Sequence, residues 1–231
     1  MSSMEIPSSE QKEASPSNLA MPEIPKCLQI RSVTKGLISF AESLQMTDCG
    51  RAAHACIWAP HPGGSNFGEC RAAIMMHLRF DGTFGFPGGL LEPEEDVIDG
   101  LNREMAEEIG WNPTVRPITW ADYYSTQLEP RKNMVLHFFI VQVTLEQFTE
   151  LEKNCVSAPE YGNEVLGTVR VPLYTMANEY SGLPAFLNNK FIGIAKQQLL
   201  LALYHQKIMT EQEIAEVLFK SQNYKLAPNR F

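Results

Sequence analysis

Beyond about residue 25 the chain alternates between short apolar runs and stretches with helical spacing, and each change of period marks an element. Residues 54–58 (HACIW) and 72–80 (AAIMMHLRF) predict strands, the second closed by an Asp81-Gly82 turn. Residues 84–91 (FGFPGGLL) predict a short strand interrupted by Pro87, Gly88 and Gly89. A helix is expected next, opening near Pro93, with Glu94, Glu95 and Asp96 in its first turn at the positive end of the helix dipole. Residues 134–143 (MVLHFFIVQV) form the most strand-like run in the chain, and Thr144-x-x-Gln147 then supplies a capping box for a short helix. A further strand over 165–171 is stopped by Pro172. Two C-terminal helices are expected over 189–204 and 210–221, the second opened by a Thr210-x-x-Glu213 box. Strands alternating with helices in this order predict an α/β protein, a mixed sheet sandwiched between helices.

Composition changes the picture at the ends. Residues 1–26 are rich in Ser, Pro and Glu and poor in large apolar side chains, so they cannot bury enough surface to offset their ordering entropy. A disordered tail over 1–26, one domain over 27–222 and a flexible tail over 223–231 are the expected organisation. The formal net charge of -8 argues against a broad basic nucleic-acid surface. An RNA partner would have to be held by a local basic patch or through bound cations, and small anionic substrates that arrive with a metal suit the same balance. The five cysteines are odd in number, scattered and without CxxC spacing, which speaks against a disulfide framework or a zinc site and for a reducing compartment. The chain start shows neither an apolar signal core nor an early basic cluster. No apolar run approaches the ~18 residues that would span a bilayer. A soluble intracellular protein with no membrane partner is expected.

The chemistry is concentrated in GGLLEPEEDVIDGLNREMAEEIGW, residues 88–111. On a helix Glu104, Glu107 and Glu108 lie at i, i+3 and i+4 on one face. Ile98, Leu101, Met105 and Ile109 form a neighbouring apolar stripe that would dock the helix on the sheet. Carboxylates so spaced repel one another, and a hard divalent cation, which prefers oxygen ligands, would relieve that repulsion. Gly88 and Gly89 allow the backbone to approach a metal and phosphates closely. An acidic helix face on its own is usually just solvated. Here Gly89, five residues, Glu95, seven residues and then Arg103-Glu104-Met105-Ala106-Glu107-Glu108-Ile109-Gly110-Trp111 fill every fixed position of the Nudix box, including the apolar slots at Met105 and Trp111.

The chain therefore resembles the Nudix hydrolases. That resemblance implies the Nudix fold and a Mg2+ or Mn2+ cofactor on the box helix. It implies Glu104 and Glu108 as first metal ligands, Glu107 beside them, and a contribution from the Gly88 carbonyl. Arg103 would orient the carboxylates, with Glu95 as its structural partner. Segments outside the box, among them HLRFDGTFGFPGGLLE, YGNEVLGTVRVPLYT and GLPAFLNNKFIGIAKQQLLLAL, resemble the subfamily that decaps small nucleolar RNA and cleaves inosine diphosphate, over about residues 50–205. By that resemblance His54, Arg79, Phe86 and Gln198 hold a purine base, and Glu164 supplies the metal site or the general base. A homodimer, nuclear or nucleolar residence with a cytoplasmic share, and a nucleotide or capped-RNA substrate are implied in the same way.

The residues themselves leave alternatives open. His54 could be a semi-buried structural histidine, Phe86 a core residue, Gln198 a surface position and Arg79 an edge charge or a phosphate clamp. His137, among Val, Leu and Phe, is read as core. Gln127 stands where relatives carry a site histidine, and an amide is a weaker metal ligand than imidazole. ADP-ribose or another dinucleotide is the rival substrate. A non-catalytic Nudix fold that binds RNA or protein is the rival class, and relatives of that kind lose the box carboxylates that Glu104, Glu107 and Glu108 retain here.

Overall fold

In the computed structural model, which describes residues 21–29, 36–129 and 131–223, the organising strand is β2 (Gly50–Pro60). Its side chains from Ala55 to Ala59 are buried on both faces, as a central strand requires. The other strands are β1 (Leu37–Ile38), β3 (Gly64–Ser65), β4 (Gly68–Glu69), β5 (Ala72–Arg79), β6 (Phe84–Gly85), β7 (Gly88–Leu90), β8 (Tyr123–Glu129), β9 (Met134–Gln142) and β10 (Val165–Arg170). The helices are α1 (Lys26–Gln29), α2 (Phe40–Ser43), α3 (Val97–Ile109), α4 (Leu145–Asn154), α5 (Leu183–Phe186), α6 (Ala195–His205) and α7 (Glu211–Asn223).

The main sheet runs β1-β8-β9-β2-β5-β10, with β2 and β9 parallel and the other pairs antiparallel. One face packs on α3 and α4: Leu101, Met105, Ile109 and Phe148 meet Ala53, Ala55, Ile57, Met75 and Phe139. The other face meets α5, α6 and α7 through Leu183, Phe186, Leu199, Leu203 and Ile214 against Cys56, Trp58, Ile74, Met76 and Phe138. The result is the expected α-β-α sandwich with a mixed sheet. Among the described residues no helix is long and apolar enough to cross a membrane.

The feature that makes a site is a split in the sheet. β2 and β5 pair only where Trp58, Ala59 and Pro60 face Ile74, Ala73 and Ala72. Beyond that point they splay, and the freed edges are taken by separate strands: β7 bonds β2 over Ala52–His54, and β6 bonds β5 at His77 and Leu78. The sequence 84–90 thus crosses the opening, carrying Phe86 and Gly88 with it.

Two expectations are corrected. The box helix opens at Val97, not near Pro93, because Asp96 is its N-cap and accepts from the Ile98 and Asp99 amides. Glu94 lies outside the helix with a positive φ of 65°. Residues 189–194 are not helical: the Phe84 amide donates to the Lys190 carbonyl and the Ile192 amide to the Phe84 carbonyl, so these groups serve the β6 edge and α6 starts at Ala195. At the N-terminus Ile24 already packs against the core, ahead of residue 27, while residues 1–20 and 224–231 of the expected tails lie outside the described residues. The two capping boxes form: Thr144 with Gln147, and Thr210 with Glu213. His137 is wholly buried and bonded to Thr126 and Arg51.

Candidate active site

The split in the sheet opens as a cleft of about 620 Å3. Gly88 and Gly89 form its floor beside β2. The Gly88 backbone has φ of 117°, a conformation side chains disfavour, and a Cβ there would collide with the Ala53 carbonyl oxygen. At Gly89 a Cβ would come within 2.5 Å of Glu104 Oε2. The two glycines are thus what lets α3 bring its carboxylates against the floor.

Arg103 organises that wall. Its Nε and Nη2 form a bidentate pair with Glu95 at 2.9 and 3.1 Å, and its Nη1 reaches Glu104 and Glu107, each at 3.0 Å. These bonds hold Glu95 below the usual carboxylate range and raise the Arg103 guanidinium further. Glu104 is pushed upward instead, mainly by burial, with Glu107 and Glu164 adding negative charge and Arg103 opposing. Glu164, in the turn just ahead of β10, also lines the cleft, and its carbonyl accepts the Phe80 amide.

Glu108 is placed differently. It lies beneath the floor with 3% exposure, and its Oε2 accepts the Gly88 amide at 2.7 Å. Burial pushes its carboxyl up to about 8, the Gly88 bond opposing and the Glu104 and Glu164 charges adding. Among the described residues no three acidic, His or Cys side chains converge closely enough to cage an ion. Arg103 stands among Glu95, Glu104 and Glu107, and Glu108 is turned to Gly88. The donor chemistry nevertheless fits a hard divalent cation: Glu104, Glu107 and Glu164 line the cleft, a side-chain-free floor lies beside them, and Glu108 waits below it.

The far end of the cleft is neutral and largely apolar. His54, Phe86 and Gln198 line it with Ile192, Ile194 and Ala195, and Met134 and Leu136 close the side. Burial, with the Arg79 charge nearby, drives His54 down to about 4, so it is neutral at physiological pH. Phe86 packs on Phe138 with ring centroids 5.2 Å apart and is a core residue as well as a wall. Gln198, whose helical spacing suggested a surface position, is 4% exposed. Arg79 also lines the cleft, and its charge acts on both His54 and Glu108.

The structure therefore gathers His54, Arg79, Phe86, Gly88, Arg103, Glu104, Glu107, Glu164 and Gln198 around one cleft, with Glu108 under its floor. Gln127 does not line it; it is buried on β8 opposite Leu136. Sequence reasoning missed the wall from Ile192 to Ala195 and the rim residue Lys132, which have no motif. It also missed His77, buried beside Glu108, although an inward histidine amid Ala, Ile and Met was a readable anomaly.

The Nudt16-like family model, described as U8 snoRNA-decapping enzyme-like, matches residues 51–209. A U8 snoRNA-decapping enzyme of Mus musculus is 41% identical over 184 residues, covering 78% of this chain and 94% of that one. The Xenopus laevis enzyme of the same name is also 41% identical, covering 78% and 87%. A Tudor-interacting repair regulator protein of Homo sapiens is 40% identical over 171 residues, covering 72% and 79%. Among solved structures, the NUDIX domain of Shewanella oneidensis NrtR complexed with ADP ribose aligns with a TM-score of 0.46 at 15% identity, covering 74% of this chain and all of that one.

Proposed function

The chain belongs to the Nudt16-like family and is a Nudix hydrolase; on that premise we propose that it cleaves, with Mg2+ or Mn2+, the diphosphate linkage of capped RNA and of inosine or deoxyinosine diphosphate. The observation that carries this reading is the two-ended cleft. A wall of carboxylates ordered by Arg103 shares the cleft with a neutral, largely apolar lining that includes His54, Phe86 and Gln198, and the Arg79 charge reaches both His54 and Glu108.

In this reading His54, Phe86 and Gln198 hold the purine, and Arg79 draws the phosphates toward the floor. Neutral His54 and the Gln198 amide each offer both a donor and an acceptor to a base edge. Glu104, Glu107 and Glu164, with the Gly88 carbonyl and Glu108 from below, are the residues that would hold the cation. When bound, it supplies neutralisation of the phosphoryl oxygens and a lowered pKa for water. Arg103 keeps Glu104 and Glu107 in place while that charge is drawn in. Glu164 serves as general base: water adds to phosphorus, its proton passes to the carboxylate, and the bridging P–O bond breaks. The inosine diphosphate products are the monophosphate and phosphate.

The test is release of phosphate or nucleotide from inosine diphosphate, capped RNA and ADP-ribose, with and without Mn2+. Hydrolysis of the first two that needs the metal and fails in Glu104→Gln supports the reading. A tenfold preference for ADP-ribose would move the substrate to that rival. Absence of turnover on all three would favour a binding role, the class of the Tudor-interacting relatives, against which the retained Glu104, Glu107 and Glu108 stand. A homodimer, and residence in the nucleus or nucleolus with a cytoplasmic share, belong to the same proposal; sedimentation and imaging of the tagged protein check them.

A further inference from the structure

His77 lies on β5, two residues beyond Met75 on the strand face that α3 covers, where the preceding inward positions Ala73 and Met75 are apolar and buried. It is 1% exposed. Its Nδ1 stands 3.6 Å from Glu108 Oε2, and its Nε2 is buried with no hydrogen-bond partner. An imidazole so placed costs more than the Met or Val its strand would otherwise hold, because a buried polar atom is left unsatisfied. Such a group asks for an explanation beyond packing.

The Glu108 contacts supply one. Its Oε2 accepts the Gly88 amide at 2.7 Å and also lies beside the His77 ring. Both contacts engage the same oxygen. They occupy Oε2 and leave Oε1 as the carboxylate oxygen still available to a cation. At 3.6 Å the contact is electrostatic, longer than a hydrogen bond, and a tautomer with its proton on Nδ1 turns the positive end of the ring dipole toward the carboxyl. The other groups facing the pair are Arg79 and His54 on the β5 and β2 side and Glu104 and Glu164 on the cleft side.

We infer that His77 is a positioning residue for Glu108: buried beneath the floor, it holds Oε2 so that Oε1 is presented to the divalent cation. The inference rests on the proposed function only in taking Glu108 as a metal ligand. Outer partners of ligating carboxylates act through orientation, and their loss costs roughly 10–100-fold in metal affinity.

The experiment compares wild type, His77→Leu and His77→Asn, whose amide can place a donor near the Nδ1 position. Mn2+ alone is the probe, followed by electron paramagnetic resonance, with melting temperature as the fold control. His77→Leu is expected to fold, to bind Mn2+ roughly 10–100-fold more weakly, and to lose kcat on inosine diphosphate more than it raises KM. His77→Asn is expected to recover most of the affinity. Folded His77→Leu binding Mn2+ like wild type overturns the inference. Should that variant not fold, 15N resonances of His77 in wild type decide: a shift of Nδ1 on saturation with Mg2+ supports the contact, and no shift overturns it. Weakened Mn2+ binding in a protein that hydrolyses no diphosphate would sink the proposed function and leave the positioning role standing.

Discussion

Apart from Glu164, the carboxylate wall of the cleft comes from one stretch of chain, residues 88–108, whereas the base end collects side chains from β2, β5, the crossing segment at Phe86 and the start of α6. The first is ordered by charge: one guanidinium spans three carboxylates, and the floor is kept bare by glycine. The second is ordered by packing: Phe86 on Phe138, and Gln198 in a helix whose neighbours Leu199 to Leu203 are all buried. Damage to the charged wall should therefore strike the chemical step. Damage to the packed end should strike binding.

The largest effect is expected at Glu104. Glu104→Gln keeps the shape against Gly89 and removes one negative charge, so kcat should fall roughly 10²–10³-fold with little change in melting temperature. Stopped assays on inosine diphosphate beside a thermal melt check this, and an active Glu104→Gln breaks the claim that the wall does the chemistry. Arg103→Lys comes next. Lysine keeps the charge but cannot bridge Glu95, Glu104 and Glu107 as a planar fork, so a loss of about 10–100-fold in kcat is expected, with a lower Mn2+ affinity. At the other end, Gln198→Leu should raise KM about tenfold, or about 1.4 kcal/mol, and leave kcat within a few fold. A fall in kcat alone would mean the two ends are not separate.

The same contrast explains what could be read from the sequence. The wall is local, so spacing on a helix and the glycine pair were enough to place Glu104, Glu107 and Glu108 together. Even there Glu108 proved to sit beneath the floor, because its position depends on β7 passing over it, which no helical period encodes. The base end is assembled by the splayed pairing of β2 and β5, a property of register. His54, Phe86 and Gln198 could be named only through likeness to a family, and Ile192 and Ile194 were hidden in what read as helix. The start of α3 lies later than Pro93 for a simpler reason: Pro93 is permitted in a first turn, but Asp96 is the better cap and takes it.

A region that belongs to neither wall supplies the smallest expected effect and the control for both. Arg71, ahead of β5, bonds Glu213 at 2.7 Å, and the Thr210 amide and hydroxyl donate to the other Glu213 oxygen. Arg71 first, and Thr210 after it, hold the Glu213 carboxyl down to about 2 from an ordinary 4.5. A depressed carboxyl stabilises the fold above its unfolded pKa and loses that contribution as pH falls through the folded one, so the window runs from 4.5 down to about 2. Both partners are substantially exposed, at 45% and 33%, and solvent screening reduces the pair to about 0.5 kcal/mol. Arg71→Gln should thus melt slightly lower than wild type at neutral pH, and the gap should narrow as pH is taken from about 5 toward 3. Its kcat and KM on inosine diphosphate should match wild type, since neither residue lines the cleft. A change in either constant would show that the C-terminal helix reaches the base end through α6, and that the packed wall extends further than its lining residues.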